Sequence, residues 1–437
     1  MKFYDREQEL GLLQQNFLAS EVESKFTVII GRRRIGKTSL IIKSGEQNQP
    51  LLYLFVSRDN EHVLVHRMQK ISEEVLGIKI LGNAENFAQL FEQLMIHSQQ
   101  NHFTLVLDEF QNFIKINPSI PSQIQDIWDR RHQNGKMNLI ACGSVYSTMT
   151  RIFENGYQPL YGRKDCNINL KPFKTKILKN ILSDHNPNYT SEDLLCLYAI
   201  TGGVAKYVSQ LMDANAVTRN KMLDYVCRDG SPFLSEGNEL IMSEFGRDYT
   251  NYLSIIQLIA QGRTSQVEID SIIGKNTGSY LNNLATEYNF IEKTLPMFAK
   301  ANSRGIRWKL NDNFLRFWFR FILPNQNLIE MGRNDMIRKI IERDYDQYSG
   351  LVLEQYFRQK FSEEKEITAI GSYWDRKGEN EIDLIAINDL DRSATIAEIK
   401  RNPEKYKENV LQAKVLFIAP YLKDYQTKII GLSMEDM

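Results

Sequence analysis

Gly31-Arg32-Arg33-Arg34-Ile35-Gly36-Lys37-Thr38 decides how this chain is read. It satisfies the phosphate-binding template G-x-x-x-x-G-K-[ST] at every fixed position. Phe26-Thr-Val-Ile-Ile30 precedes it as a short apolar, β-branched segment, the pattern of a buried strand. Ser39-Leu-Ile-Ile-Lys43 follows and continues as a helix. A strand, a glycine turn and a helix start aim successive backbone N–H groups, and the positive helix end, at an anion. Gly31 and Gly36 permit backbone angles and a close approach that a Cβ would obstruct. Lys37 is then the point charge for the β- and γ-phosphates, and Thr38 offers an oxygen to Mg²⁺. A chance glycine turn before an amphipathic helix would not need all of these at once. Residues 31–39 are expected to bind a nucleotide.

The bulk numbers set outer bounds. A chain of 437 residues is too long for one ordinary core and implies about three domains. With 42% hydrophobic and 25% charged residues it has the composition of a globular protein. Lys+Arg and Asp+Glu both number 54, so any nucleic-acid surface must be local. Cys142, Cys166, Cys196 and Cys227 are far apart and form no C-x-x-C pair, which suggests reduced, packed thiols. The charged start and the lack of a long apolar run predict a cytoplasmic protein with no membrane partner.

Strand and helix patterns alternate after the loop. Leu51–Val56 reads as a strand, Glu61–Leu76 and Asn86–His97 as helices, and Phe103–Glu109 as a buried strand ending in two carboxylates. Met137–Ser144 is a further strand ending in a small polar turn. This alternation predicts a parallel sheet covered by helices, with ligands at the carboxyl ends of its strands. Asp108 falls there and can hold the water shell of Mg²⁺, while Glu109 can orient or deprotonate an attacking water. Ser144 either senses the γ-phosphate or is simply a turn serine.

Phe3-Tyr-Asp-Arg-Glu-Gln-Glu-Leu10, the glycine loop, Val106-Leu-Asp-Glu-Phe-Gln111 and Leu160-Tyr-Gly-Arg163 together resemble the prokaryotic "archaeal-type" ATPase family. That family is a branch of the AAA+/STAND P-loop ATPases. Thr201-Gly-Gly-Val-Ala-Lys-Tyr207 resembles its lid motif, with Ala205 where proline is usual. The resemblance implies ATP rather than GTP, with Tyr4 to Arg6 near the adenine. It makes Arg163 the candidate for a γ-phosphate or trans-acting arginine, against a plain surface arginine, with Arg130 and Arg131 as alternatives.

Residues 171–246 are mainly helical by pattern and match the lid of such ATPases. Three helices then lead to two strands, Phe290–Leu295 and Ile306–Leu310, the layout of a winged helix. Its third helix offers Asn282 and Asn283, and its wing Lys300, Arg304 and Arg307. Basic residues outnumber acidic ones between Lys300 and Arg343, a plausible phosphate-tracking surface. The aromatic run Asn313–Phe321 is too apolar to face solvent and is expected in a core.

Toward the C-terminus, Gly350–Lys360 is an amphipathic helix carrying Glu354. Glu381–Ile387 and Ala394–Lys400 are strands carrying Asp383, and Glu398 with Lys400. Side chains two apart share a sheet face, so antiparallel pairing would set Asp383 beside Glu398 as a carboxylate pair for a divalent metal. Lys400 could then polarise a phosphate or a water. The arrangement resembles the PD-(D/E)xK restriction-endonuclease-like fold and the C-terminal domain of unknown function that accompanies this ATPase family. The proline usual before the first aspartate is absent. Cross-strand ion pairs would give the same pattern.

The expected fold is α/β. It comprises a P-loop NTPase (AAA+-like) core over 1–170, a helical lid over 171–247, a winged helix over 248–325 and a nuclease-like domain over 335–437. The expected function is Mg²⁺-dependent ATP hydrolysis acting on or near DNA. The rivals are a slow nucleotide-dependent scaffold for a protein partner or homo-oligomer, and an ATP-regulated nuclease.

Overall fold

Parallel strands organise the first part of the chain in this computed structural model, which describes every residue except 47, 81, 246–248, 301–302, 304 and 376–377. They are β1 (Lys25–Ile30), β2 (Leu51–Phe55), β3 (Phe103–Asp108), β4 (Met137–Gly143) and β5 (Cys166–Asn169). Their order across the sheet is β2-β3-β4-β1-β5, every pair parallel. β3 and β4 are buried at every position, as a sheet covered on both faces requires. Leu64, Met68, Phe91, Leu94, Ile124, Trp128 and Phe153 from the flanking helices share one core with these strands. Each such side chain contributes about 1.5–3 kcal/mol by leaving water.

β5 was not expected from the sequence. Cys-Asn-Ile-Asn is short and polar, and of its four residues only Ile168 is buried. Pairing with β1 makes it a strand, not its own pattern. With β1 between β4 and β5, the loop after β1 opens at the carboxyl end of the sheet, where ligands gather. Ile30 is level with Gly143, and Asp108 with Phe55.

The chain divides into two compact units, Asp5–Lys171, and Met1–Tyr4 with Pro172–Met437. The second starts with five helices, from Thr175–His185 to Pro232–Phe245. Thr190 and Asp193 form a capping box at the start of Ser191–Thr201, worth about 1 kcal/mol. Helices Tyr249–Ala260, Gln266–Ile273 and Gly278–Thr286 then lead to the antiparallel hairpin of β6 (Ile291–Thr294) and β7 (Arg307–Leu310). Arg304 lies outside the described residues.

Phe314, Phe317, Trp318, Phe319 and Phe321 are all buried, so the aromatic run is core. Gly237 admits Trp318, since a Cβ there would meet the indole at 2.1 Å. The basic stretch after it and the helix expected at Gly350–Lys360 are one 29-residue helix, Asn334–Ser362. It leads into a sheet of β8 (Ala369–Trp374), β9 (Glu381–Asn388), β10 (Ser393–Ile399) and β11 (Gln426–Leu432), ordered β11-β10-β9-β8. A register shift between Gly371 and Tyr373 breaks the alternation of β8, which hides it from a periodicity reading. No helix among the described residues is long and apolar enough to cross a membrane.

Candidate functional site

The glycine loop takes its shape from two constraints. A Cβ on Gly31 would come to 3.0 Å from Leu170 O and 3.1 Å from Ile35 Cγ2, so any larger residue would have to push these neighbours aside. Gly36 has φ 101° and Arg34 φ 73°, a run of left-handed backbone that folds the chain back on itself. Ile35 is buried, while Arg32, Arg33 and Arg34 are half-exposed. Lys37 is buried, and its ammonium donates to Gly31 O at 2.7 Å and Arg32 O at 3.1 Å. Lys37–Gly45 is the helix that follows, with no side chain capping its first turn. Thr38 and Ser39, in that turn, are exposed. An uncapped helix start with a lysine folded across a glycine turn suits the phosphates of a nucleotide.

The carboxylates at the end of β3 sit beside this loop. Tyr53, on β2, donates its hydroxyl to Asp108 Oδ2. Thr38 lies close enough to the Tyr53 oxygen to lower its pKa slightly, so Tyr53 sits between the two residues expected to hold Mg²⁺. Burial and then the Asp108 carboxylate push the Tyr53 phenol far above its ordinary value, keeping it a neutral donor. Glu109 has φ 56°, which turns its side chain toward β4. Its Oε2 accepts the Ser144 hydroxyl at 2.9 Å and the Gln111 amide. The buried Cys142 thiol, pushed up by burial, lies within the fields of Asp108, Lys37 and Glu109. The structure therefore brings Lys37, Thr38, Asp108, Glu109 and Ser144 together. Tyr53 escaped the sequence reading because nothing in a strand sequence says what its neighbour carries. Gln111 sits in the quoted motif, two residues after Glu109, and only the turn gives it a role.

Other candidates lie elsewhere. The Arg163 guanidinium pairs with Asp129 at 3.0 Å and donates to Tyr161 O. Arg131 pairs with Glu92, and Arg130 with Asp126 and Glu92. Tyr4 and Arg6 belong to different units. Tyr4 donates to Asp184 at 2.9 Å, and Arg6 donates to Lys171 O and Glu9.

The C-terminal residues converge as the strand register requires. Lys400 Nζ lies 3.3 Å from Asp383 and 2.9 Å from Glu398. Asp383 also accepts Ile399 N–H at 2.8 Å. Lys414, which no sequence pattern connected to the site, sits 3.0 Å from Glu398. Burial raises Asp383 above its ordinary value, against the Ile399 amide and Lys400. Burial, then Asp383, raises Glu354. Glu398 is lowered, since Lys400 and Lys414 outweigh its own burial. Among the described residues no group of three or more His, Cys, Asp or Glu is arranged to hold a metal ion. The expected carboxylate pair is thus held by two ammonium groups. The wing departs from expectation too. Arg307 pairs with Glu381 and stacks over Trp374, its centroid 4.5 Å away, and Asn283 turns to Tyr252.

A five-stranded parallel sheet with this loop and these strand ends defines a P-loop ATPase. Comparison with known proteins agrees. A family described as "ATPase domain predominantly from Archaea" matches residues 3–211, and one described as "Archaea bacterial proteins of unknown function" matches residues 318–410. An uncharacterized protein of Methanocaldococcus jannaschii is 32% identical over 450 residues, covering 99% of this chain and 96% of that protein. Among solved structures, the Walker-type ATPase of Pyrococcus abyssi shares the fold at 17% identity and a TM-score of 0.54. That match covers 73% of this chain and 96% of the other. The ORC2 protein of Aeropyrum pernix, in ADPNP–ADP complexes, aligns at 13% identity and a TM-score of 0.47 over 75% of this chain and 93% of its own. The chain belongs to this archaeal ATPase family and also carries that C-terminal domain of unknown function.

Proposed function

We propose that the chain hydrolyses ATP at residues 31–39 and uses the state of the γ-phosphate to switch its second unit. The observation that carries this reading is Asp108, held by Tyr53, beside Glu109, held by Ser144 and Gln111, at the strand end next to the Lys37 loop. Lys37 and the loop amides hold the phosphates, and Thr38 and Asp108 are the residues that would hold magnesium. Magnesium, when bound, offsets phosphate charge. Glu109 aligns the attacking water and takes its proton, while Ser144 and Gln111 fix the carboxylate's direction. Residues 171–247 act as the lid, 248–325 as a winged helix and 335–437 as a nuclease-like module. Arg163 would act, if at all, on a neighbouring copy. The basic bias of residues 300–343 supports work on or near DNA.

Phosphate release by the full chain tests this. Lys37→Ala is expected to lose turnover and nucleotide binding together. Glu109→Gln is expected to keep binding but lose at least ~100-fold in turnover, the scale of a missing catalytic base. Undiminished turnover in both variants would sink the reading. Nucleotide-dependent partner binding with negligible turnover would favour the scaffold instead. A second reading, a metal-dependent nuclease, is favoured by the meeting of Asp383, Glu398 and Lys400. A metal there would displace Lys400 or Lys414 from Glu398, and DNA nicking lost in Asp383→Ala is its test.

A further inference from the structure

The hairpin, the long helix and the C-terminal sheet bring several charged side chains together, away in sequence from the nucleotide loop. On β7, Arg307 and Lys309 are two apart and share a face. On the long helix, Glu354 and Arg358 are four apart and share another. Arg307 reaches Glu381 on β9, and Arg358 Nη2 donates to Ser372 Oγ on β8 at 2.7 Å. Trp374 Nε1 donates to Gly305 O at 3.0 Å, and Met297 N to Ser372 O at 2.8 Å, so the hairpin is fastened along the β8 edge. Arg316 completes the wall, donating to Leu310 O beside Lys309 at 2.7 Å.

Three of these cations outnumber the acid that faces them. Among the described residues Lys309, Arg316 and Arg358 make no ion pair, although all three are half-buried. The Arg358 Nε is buried with no hydrogen-bond partner at all. The nearby acids are otherwise engaged or weak. Glu381 serves Arg307, Asp383 and Glu398 serve Lys400, and Glu292 is exposed. Glu354 remains, one carboxylate facing Lys309 and Arg358 with an ion pair to neither, against three cations. Burial first, and then the neighbouring Arg358, depress Lys309 to about 8. Removing unpaired charge from water is unfavourable unless an anion compensates it.

We propose that Lys309, Arg316 and Arg358 form a phosphate-binding subsite, taking one phosphate group beside the Asp383–Lys400 cluster. Guanidinium groups match the oxygens of a phosphate by paired N–H donors, and the ammonium adds a point charge. A polynucleotide backbone and free inorganic phosphate carry the same group. The subsite holds whether or not the neighbouring cluster cleaves, and it does not rest on ATP hydrolysis.

The test is fluorescence anisotropy of the full chain with a labelled 20-mer single-stranded DNA, run in parallel with thermal shift by inorganic phosphate. Lys309→Gln and Arg358→Gln are each expected to weaken DNA binding about tenfold and to flatten its salt dependence by roughly one phosphate contact. Lys309→Arg should retain binding. Lys339→Gln, an exposed lysine on the long helix, should match wild type. Circular dichroism identifies any variant that fails to fold, and Lys309→Arg serves in its place as the charge-preserving comparison. Loss in the DNA arm assigns the site to a polynucleotide. A phosphate thermal shift lost in Lys309→Gln, with DNA binding unchanged, assigns it to the free anion. Variants equal to wild type with both probes overturn the proposal. So does an equal loss in Lys339→Gln, which would reflect diffuse surface charge.

Discussion

Glu109 shows how much one backbone angle decides. At φ 56° it leaves β3 in a left-handed turn, and its carboxylate meets Ser144 and Gln111 instead of continuing the strand's alternation. Gly143 makes room for this, because a Cβ there would lie 2.4 Å from Gln111 Oε1. Gly143→Ala is therefore expected to push Gln111 off Glu109 and to lower turnover more than nucleotide affinity, read as a fall in kcat at nearly constant KM. Lys309 supplies the pH-dependent case. Glu292 on β6, Arg316 in the aromatic run, and Glu354 and Arg358 on the long helix face it, and its folded value of about 8 lies below an ordinary lysine. The ammonium is present below that value and lost above it. Oligonucleotide binding should thus weaken as pH rises through about 8, and Lys309→Arg should remove that step.

Elements owe their stability to contacts the local pattern only partly shows. The aromatic run Asn313–Phe321 packs where Gly237 leaves space for the Trp318 ring. Gly237→Ala is expected to destabilise the second unit by about 1–3 kcal/mol through overpacking, measurable as a lower urea midpoint. In the C-terminal sheet, Glu398 is shared by Lys400 and Lys414 and is largely buried. Glu398→Ala would leave Lys414 uncompensated and Lys400 with Asp383 alone, and an unfolding loss of about 3 kcal/mol is expected. A far smaller loss would mean that solvent already screens them.

At the scale of the whole molecule, two compact units allow two unfolding transitions. A ligand that binds only the folded state stabilises it by about 2.7 kcal/mol at a hundredfold excess over its Kd. If the γ-phosphate switches the second unit, a non-hydrolysable ATP analogue with Mg²⁺ should raise both calorimetric transitions in wild type and neither in Lys37→Ala. A shift confined to one transition would sever ATP from the second unit.

Contiguous residues determined the nucleotide loop, the alternating strands before and after it, Asp108 and Glu109 at a strand end, and the Asp383, Glu398 and Lys400 set. These features are written in neighbouring side chains and in backbone angles that glycine alone allows. The tertiary structure decided that Tyr53 bonds Asp108, that Arg163 goes to Asp129, that Lys414 occupies Glu398, and that the hairpin turns Arg307 inward to Glu381. Those pairings join residues far apart in the chain, and packing and charge balance select them rather than any local repeat.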